Sequence, residues 1–412
     1  MDAAALTKLL TPAGWELLNA LPPYDPAQAM SLAAGLRAQG VDPELAAAAM
    51  TQSRLRAAAR GKLGEFADRM LFTQDGLEQA TRLVVAARHA QRYVDAGVTR
   101  VADLTCGIGA DATGFAGLGL AVLATDVDEA TAAIATVNLM PFPEAVVRHA
   151  DGLALDLAAE GVDGVYADPA RRQGGRRVFD PRAYAPPLDD VWALRDVVPA
   201  VGIKVGPGIP HAGLPADAET QWVSVDGDVV EAGIWFGPLA PDGPGRSALV
   251  LRTTTAADGA PRTSARTLRQ AAGDPEPEPE VGPLGRYLYE PDGAVIRAGL
   301  VAHAAAELGG RLVDPTIAYV TTDSPAPEGA GGLAAGLATG YRVLDVMPFG
   351  LKRLRTALRE RGVGRLTIKK RGTAVVPEQL RKQLDLRGTA EATIILTRIA
   401  GAQHVVVVDP VR

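Results

Sequence analysis

The stretch that decides the fold is VADLTCGIGADATGFAGLGLAVLATDVD, which runs from Val101 to Asp128. An apolar strand leads into a turn with Gly107 and Gly109, where the lack of a Cβ lets the backbone turn tightly and approach a ligand. The spacing predicts a helix over 110–118 and then a second apolar strand. Asp126 follows Gly107 by 19 positions, at the edge where doubly wound sheets bind ligands. The stretch therefore predicts half of a nucleotide site, with Asp126 on a ribose diol.

Two nucleotide-like ligands fit this half-site, NAD(P) and S-adenosylmethionine. The spacing Gly107-x-Gly109-x-x-Ala112 satisfies the dinucleotide fingerprint, which is a weak signal when it stands alone. Asp103 lies four residues before the first glycine. An acid at this position repels a pyrophosphate but pairs with the cationic amino-acid end of S-adenosylmethionine, so it favours the second ligand. In the alternative interpretation, Asp103 only caps the turn.

The ends of the later strands supply further polar residues. The third strand ends in Asp151, which we expect to hydrogen-bond the adenine amino group. The fourth ends in the run DPARR at 168–172, and the fifth carries Lys204, which we expect to line the site. Because the fourth strand end of such a sheet faces the reacting group, Asp168 is expected to orient the acceptor. The alternative is that Asp168 and Pro169 form an ordinary turn.

Residues 1–94 are rich in Ala, Leu and Arg, with apolar positions at helical spacing and several proline breaks. This pattern predicts a small helical domain, whose last helix, over 77–93, leads into the first strand. We expect Phe72 and Thr73, just before that helix, to cover the cofactor. Packing between domains is the alternative role for both residues.

A chain of 412 residues exceeds the usual size of one hydrophobic core and predicts two or three domains. After the helical domain we expect a nucleotide-binding domain over 95–272, a Pro/acid linker over 273–283 and a C-terminal region over 284–412. No apolar run approaches the roughly 18 residues needed to span a bilayer, and no signal peptide is evident. We therefore expect a cytoplasmic protein without a membrane partner.

The charge is distributed unevenly. The whole chain has a net charge of −6, but residues 342–412 contain 15 Lys and Arg against 6 Asp and Glu, while residues 1–341 contain 27 against 42. Alternating strands and helices predict that 342–412 fold as a compact α/β module able to hold a polyanion. A merely solvated face is the alternative. The RNA-binding residues expected in this module are Lys352, Arg353, Arg355, Lys369, Lys370 and Arg371.

Metal chemistry is not expected. Cys106 is the single cysteine, which excludes an intrachain disulfide, and the five histidines show no metal-ligand spacing. The sequence predicts no metal site.

The run DLTCGIGAD at 103–111, Asp126 and DPARR at 168–172 resemble class I S-adenosylmethionine-dependent methyltransferases, specifically the bacterial group with a C-terminal THUMP-like domain. YLYEP at 287–291 and the basic module extend the resemblance, and the core is also similar to trimethylguanosine synthases and tRNA methyltransferases. The resemblance implies an α/β fold: a Rossmann-like sheet, an N-terminal helical domain and a THUMP-like module. It also implies S-adenosylmethionine as cofactor and structured RNA, tRNA or rRNA, as partner.

The glycine turn, its flanking acids and the resemblance together give the expected site. DPARR occupies the place of the Asn/Asp-Pro-Pro-aromatic motif of amino methyltransferases, but Ala170 and Arg171 replace its second proline and its aromatic residue. The expected catalytic residues are Asp168, Pro169, Arg171, Arg172 and Lys204. The expected cofactor-binding residues, besides Phe72 and Thr73, are Asp103, Thr105, Cys106, Gly107, Gly109, Asp126, Val127, Asp151, Gly152 and Asp168.

The departure brings the run closer to the DPPR of uracil-C5 methyltransferases. Methylation at C5 of a pyrimidine needs a cysteine thiolate to create a carbon nucleophile. Cys106 lies in the cofactor turn, so we expect methylation of a base nitrogen, which already carries a lone pair. The alternatives are a methyltransferase for a small molecule or a protein, and an RNA-binding adaptor that binds the cofactor without turnover.

Overall fold

The computed structural model describes residues 3–170, 172–173, 176–177, 183–256, 258–259, 261–326 and 334–411. The chain forms two compact units. The first unit comprises Met1–Val205 and Ile234–Asp242, and the second comprises Gly206–Gly233 and Gly243–Arg412. Within the described ranges, no helix is both long enough and apolar enough to cross a membrane.

The first unit begins with helices, as the composition of residues 1–94 predicts, and all of them except the third contribute to one apolar core. The longest helix begins at Asp42, whose Oδ1 accepts the backbone N–H of Glu44, and Pro43 occupies its first turn. Leu9, Leu55 and Leu63 are buried in this core. The helices are α1 (Ala3–Leu9), α2 (Pro12–Ala20), α3 (Ala29–Ala38), α4 (Pro43–Leu63), α5 (Gln74–Gln79) and α6 (Leu83–Asp95).

The single helix predicted over 77–93 is wrong, because α5 and α6 are separate helices. Ala80 leaves the helical conformation with φ −55° and ψ 130°, and the hydroxyl of Thr81 donates to Oδ2 of Asp111 over 2.6 Å. The break contains neither proline nor glycine, so no local signal predicted it. Its consequence is that Thr81 lies buried beside the sheet.

The sheet of the first unit is parallel, with the strand order β7-β4-β1-β2-β3. Its elements alternate along the chain and confirm the predicted Rossmann-like topology. They are β1 (Arg100–Asp103), α7 (Ala110–Gly117), β2 (Ala121–Asp126), α8 (Glu129–Leu139), β3 (Ala145–His149), β4 (Gly164–Ala167), β5 (Arg172–Gln173), β6 (Arg176–Arg177), α9 (Leu188–Ala193) and β7 (Ala200–Val205). The short strands β5 and β6 pair with each other.

The strand order places the ligand-binding crevice of this unit. Chain order reverses at β1, which pairs with β2 on one side and β4 on the other, with Asp103 level with Tyr166. Ligands of open α/β sheets bind at the carboxyl ends of the strands on either side of such a reversal. Asp103 ends β1 and Asp168 follows β4, so both acids lie at this edge.

The second unit contains two sets of strands. The sequence predicts a hairpin around 226–228, and the first set includes it. β8 and β9 are neighbours joined through Asp226 and Gly227, which have φ values of 54° and 96°. Two positive φ values are typical of the tight turns that suit strand twist. β10 runs parallel to β8 and antiparallel to β11. The elements are β8 (Glu219–Val225), β9 (Asp228–Trp235), β10 (Gly245–Thr255) and β11 (Pro261–Ala271).

The second set is a seven-stranded sheet in the order β13-β14-β12-β15-β18-β17-β16. Within the described residues, neighbouring strands of this sheet run antiparallel, except β16 and β17, which are parallel. Its elements are β12 (Tyr287–Pro291), α10 (Gly293–Arg297), α11 (Val301–Glu307), β13 (Arg311–Leu312), β14 (Val320–Thr322), α12 (Ala334–Leu337), β15 (Ala338–Pro348), α13 (Leu351–Glu360), β16 (Val363–Lys370), α14 (Pro377–Leu384), β17 (Ala390–Ile399) and β18 (Ala402–Pro410).

The sequence also predicts one helix over 294–308, and this is wrong, because Gly299, at φ +73°, separates α10 from α11. It predicts a loop over 330–340, which is wrong in the described part, 334–340, because that part holds α12 and the start of β15. Residues 342–412 contain the alternating strands and helices that the sequence predicts. Their sheet also includes earlier residues, since β15 pairs with β12 along its length.

Candidate cofactor and acceptor site

The glycine turn after β1 has the geometry that its sequence predicts. Gly107 and Gly109 have φ values of 54° and 85°, in the left-handed region that favours glycine. A Cβ built on Gly107 would meet nothing within 4 Å, so this side of the turn is open. The N–H of Gly107 points across to β2 and donates to Oδ2 of Asp126 over 3.1 Å.

Asp103 provides the strongest sign of a bound cation. Its side chain is buried, at 1% exposure, and Oδ1 accepts the N–H of Thr105 over 3.3 Å. Oδ2 is buried without a hydrogen-bond partner in the described part of the chain. Burial, and then the nearby Asp111 carboxylate, raise the pKa of Asp103 well above its ordinary value. A buried carboxylate oxygen left unsatisfied is costly, and the ammonium group of S-adenosylmethionine would satisfy it.

The ribose and adenine end has polar and apolar parts. Oδ1 of Asp126 accepts the N–H of Asp128 over 2.9 Å, so both oxygens of this half-buried carboxylate are oriented by backbone groups. Val127 is 71% exposed and offers an apolar surface beside it. Asp151 is exposed, and its Oδ1 accepts the N–H of Leu153 over 3.0 Å. The residues present therefore fit a nucleoside with a cationic tail.

Gly152 and Cys106 contribute backbone packing around this end. A Cβ on Gly152 would lie 2.7 Å from that of Leu104, so only glycine fits there. The Cys106 thiol is buried and donates to the carbonyl of Gly107 over 3.6 Å. Burial raises the pKa of Cys106 well above its ordinary value, and this keeps the thiol protonated.

The segment before α5 is built into the helical core. The ring of Phe72 is fully buried, and its backbone N–H and carbonyl both bond the amide of Gln52. The hydroxyl of Thr73 caps α5 by accepting the N–H of Gly76 over 2.9 Å. These contacts favour a packing role, and a covering role over the cofactor stays a prediction.

Asp168 and Lys204, which we expect at the acceptor end, are in contact. The N–H of Asp168 donates to the hydroxyl of Thr105 over 2.7 Å, and this bond ties the chain after β4 to the glycine turn. Its Oδ2 lies 2.5 Å from Nζ of Lys204, which β7 carries. The Asp168 side chain is 28% exposed, whereas that of Lys204 is 9% exposed. The Asp168 carboxylate therefore has a buried cation as partner and is itself partly accessible to solvent.

The side chains of two predicted catalytic residues, Arg171 and Arg172, lie outside the described part of the structure. Arg171 lies outside the described residues, and only the backbone of Arg172 is described, within β5. Pro169 follows Asp168 directly, and Ala170 then pairs with Ala185 through two backbone hydrogen bonds of 2.8 and 3.1 Å. The loop after β4 is therefore fixed where it begins.

Sequence reasoning missed a set of buried polar residues behind Lys204. Nζ of Lys204 donates to the hydroxyl of Thr81 over 2.7 Å, and Thr81 donates to Asp111. Nδ1 of His89 lies 2.9 Å from Oδ1 of Asp111 and 3.2 Å from the hydroxyl of Tyr166. Lys204, Asp111, His89 and Tyr166 come from four different helices and strands, and Thr81 comes from the break between α5 and α6. Of the residues behind Lys204, only Asp111 lies in one of the sequence motifs, DLTCGIGAD at 103–111. That motif gives Asp111 itself no expected role.

The second unit holds the predicted RNA-binding residues, and the structure separates them into two groups. Lys352 and Arg353 are exposed at the start of α13, where with the partly exposed ring of Phe349 they line a cavity of about 840 Å³. The other four residues make intramolecular contacts. Arg355 donates to the carbonyl of Gln383, Lys370 donates to that of Val375, and Lys369 and Arg371 lie 2.6 and 3.5 Å from the Glu290 carboxylate.

The spacing of Lys352, Arg355 and Arg359 predicts three charges on one solvent-exposed face of α13. The structure shows that two of these charges have partners within the chain. Arg359 donates to the carbonyl of Asp385 over 3.0 Å, and Arg355 reaches the same end of α14. Cations at a helix C-terminus satisfy its last carbonyls and oppose its dipole. Arg355 and Arg359 therefore join two helices, and Lys352 is left to face solvent.

Comparison with known proteins identifies the family. A family model described as THUMP domain-like matches residues 338–410, and a domain of unknown function (DUF8688) matches residues 2–59. Two uncharacterised S-adenosylmethionine-dependent methyltransferases of Mycobacterium tuberculosis, from strains CDC 1551 / Oshkosh and H37Rv, are each 35% identical over 358 residues. That match covers 84% of this chain and 90% of each relative.

A solved structure supports the fold. The crystal structure of a proposed methyltransferase from Porphyromonas gingivalis W83 superposes with a TM-score of 0.70 at 19% identity, covering 94% of this chain and 99% of that one. The choice of S-adenosylmethionine over NAD(P) is confirmed by the relatives. The chain belongs to the class I S-adenosylmethionine-dependent methyltransferases and carries a THUMP-like domain near its C-terminal end.

Proposed function

We propose that the protein methylates a base nitrogen of RNA, with tRNA or rRNA as substrate. The observation that carries this proposal is the Asp168 carboxylate, which is anchored by Lys204 and partly exposed at the carboxyl edge of the sheet beside Asp103. S-adenosylmethionine supplies an electrophilic methyl group when bound. Asp168 can accept a hydrogen bond from the acceptor N–H, which orients the nitrogen lone pair, and can then take the proton that the methylated nitrogen releases.

The buried thiol supports nitrogen over carbon as the acceptor atom. Attack on C6 of a pyrimidine needs a thiolate facing the base, whereas the Cys106 thiol is buried, kept protonated and bonded to the carbonyl of Gly107. A nitrogen acceptor needs only orientation and loss of a proton, both of which Asp168 can provide.

The basic surface of the second unit supports RNA as the substrate. The THUMP-like region, 338–410, overlaps almost completely with residues 342–412, whose net charge is positive although the whole chain is acidic. Lys352 and Arg353 reach solvent beside a cavity and the ring of Phe349, a combination suited to phosphate and to an unpaired base.

Methyl transfer from tritiated S-adenosylmethionine to total RNA of the source organism tests the proposal. We expect incorporation with the unmodified chain, and loss of it in Asp168→Ala while cofactor affinity stays within a few-fold. Mass spectrometry of nucleosides from a deletion strain then identifies the missing base. Incorporation into protein or small molecules but not RNA would contradict the proposal, and so would full activity of Asp168→Ala.

A further inference from the structure

Behind Asp168 lies an unbroken series of hydrogen bonds that ends deep in the first unit. Lys204 donates to Oδ2 of Asp168 and to the hydroxyl of Thr81, and this hydroxyl donates in turn to Oδ2 of Asp111. Nδ1 of His89 bonds the remaining oxygen of Asp111. Thr81 is thus both acceptor and donor, which fixes the direction of each bond in the series.

The charges in this series depend on one another. The side chains of Lys204, Asp111 and His89 are each at most 9% exposed, and a buried ion without partners is strongly destabilising. The ammonium group is shared between two carboxylates, at 2.5 Å from Asp168 and 3.8 Å from Asp111. Burial raises the pKa of Asp111, but Lys204 and the hydrogen bond from His89 outweigh it and lower this pKa to about 2.

We propose that Thr81, Asp111 and His89 are positioning residues for methyl transfer, because they hold the Lys204 ammonium against Asp168 and so keep the acid ionised and aimed at the acceptor. This inference rests on the proposed function, in which Asp168 receives the acceptor proton. It assigns no direct contact with RNA or cofactor to the three residues.

Several charges face Lys204 and decide how the pair responds to pH. Asp168 and Asp111 are in contact with it, and its charge also influences Asp103 and Lys62. Loss of the hydroxyl at Thr81 removes one of the hydrogen bonds that hold the ammonium in place. The ammonium is then less closely paired with Asp168, so the proton affinity of Asp168 should rise.

The matched pair Thr81→Val and Thr81→Ser tests the proposal, since valine keeps the shape of threonine and serine keeps its hydroxyl. For Thr81→Val we expect kcat to fall about 10- to 100-fold, the factor that corresponds to loss of one hydrogen bond to a charged group. KM for RNA should change little, and the acidic limb of the kcat profile should move to higher pH. Thr81→Ser should restore both rate and profile.

A second measurement needs no substrate. The chain has seven lysines, so ¹⁵Nζ labelling of lysine in the full chain gives few ammonium signals, and Lys204→Met identifies that of Lys204. We expect a signal protected from exchange in the unmodified chain and in Thr81→Ser, and an unprotected signal in Thr81→Val. Asp111→Asn, which keeps the side-chain shape, should also remove protection and serves if the valine variant does not fold.

The two measurements separate the possible failures. An unmodified chain that does not methylate RNA but shows the protected signal would overturn the proposed function and leave the held ammonium intact. A Lys204 signal that is unprotected from the start, or unchanged in folded Thr81→Val and Asp111→Asn, would overturn this inference. A uniform loss of rate in Thr81→Val with an unmoved pH profile would also overturn it.

Discussion

The backbone N–H of Gly107 donates a hydrogen bond to Oδ2 of Asp126, and this 3.1 Å contact joins the turn after β1 to the end of β2. The bond sets the orientation of the carboxylate before any ligand binds, since Oδ1 is held as well by the N–H of Asp128. A carboxylate oriented in advance loses little entropy when it binds a ribose diol.

Asp126→Ala should therefore weaken binding of S-adenosylmethionine by about ten- to a hundred-fold. Loss of a hydrogen bond to a charged group costs roughly 1.5–3 kcal/mol. Isothermal titration calorimetry measures the change. Asp128→Ala is the matched control, because the Asp128 side chain caps α8 through Thr131 and its N–H remains in the variant. Equal losses in both variants would argue against a ribose contact for Asp126.

Cofactor binding should depend on pH through Asp103. Burial raises the pKa of this acid in the free protein, whereas the cationic ammonium of the ligand favours its ionised form. Binding therefore releases a proton, and affinity should rise with pH up to the raised pKa and level off above it. Calorimetry across pH in buffers of different ionisation enthalpy detects the proton. Asp103→Asn should bind weakly and without this dependence, and a pH-independent affinity in the unmodified chain would contradict the role.

Cys106→Ser should retain substantial methyl transfer. The thiol is buried and protonated, and a serine hydroxyl can donate to the same carbonyl of Gly107. Initial rates with RNA, compared with thermal unfolding of both proteins, measure the effect. A folded Cys106→Ser protein that binds cofactor but transfers no methyl group would indicate that the Cys106 thiolate takes part in the reaction.

The double substitution Lys352→Glu/Arg353→Glu should weaken RNA binding and reduce its salt dependence. Each phosphate contact contributes about −0.7 to the slope of log K against log salt for single strands, so losing two contacts should reduce the slope by about 1.4. Filter binding at several salt concentrations measures this slope. Arg37→Glu/Arg88→Glu makes the same charge change at exposed residues of the first unit and should have a smaller effect.

Substitution is a better test here than truncation. Deleting residues 342–412 would remove most of β15 together with β16 to β18, so β12 would lose a neighbouring strand. Loss of RNA binding would then report unfolding. Equal salt slopes for the double variant and its control would instead leave the basic face a solvated surface.

The geometry of the expected cofactor half was predictable from the sequence because its signals are local. Gly107, Gly109 and Asp126 lie within 20 residues of one another, and their spacing encodes a turn between two strands. The parallel order of the strands follows from the same alternation of elements. For these residues, sequence distance and spatial proximity agree.

The acceptor half was only partly predictable because its contacts are long-range. Lys204 was selected by its position on a buried strand, but Thr81 lies 123 residues before it, in a helix break without a sequence signal. Lys369 is expected from the sequence to bind RNA, but in the structure it bonds Glu290, which lies 79 residues away along the chain. Charge patterns along a chain do not reveal such partners.

The position of β18 has a consequence for synthesis of the chain. β18 lies between β15 and β17, although both precede it in sequence, and it supplies hydrogen bonds to each of them. While a ribosome is still adding residues 402–410, these two strands have open edges, and unpaired strand edges favour association with other chains. All residues of the first unit precede Gly243 in the chain. Its parallel sheet can therefore form early. The seven-stranded sheet stays incomplete until β18 has been synthesised, and during this time its unpaired strand edges can bind chaperones.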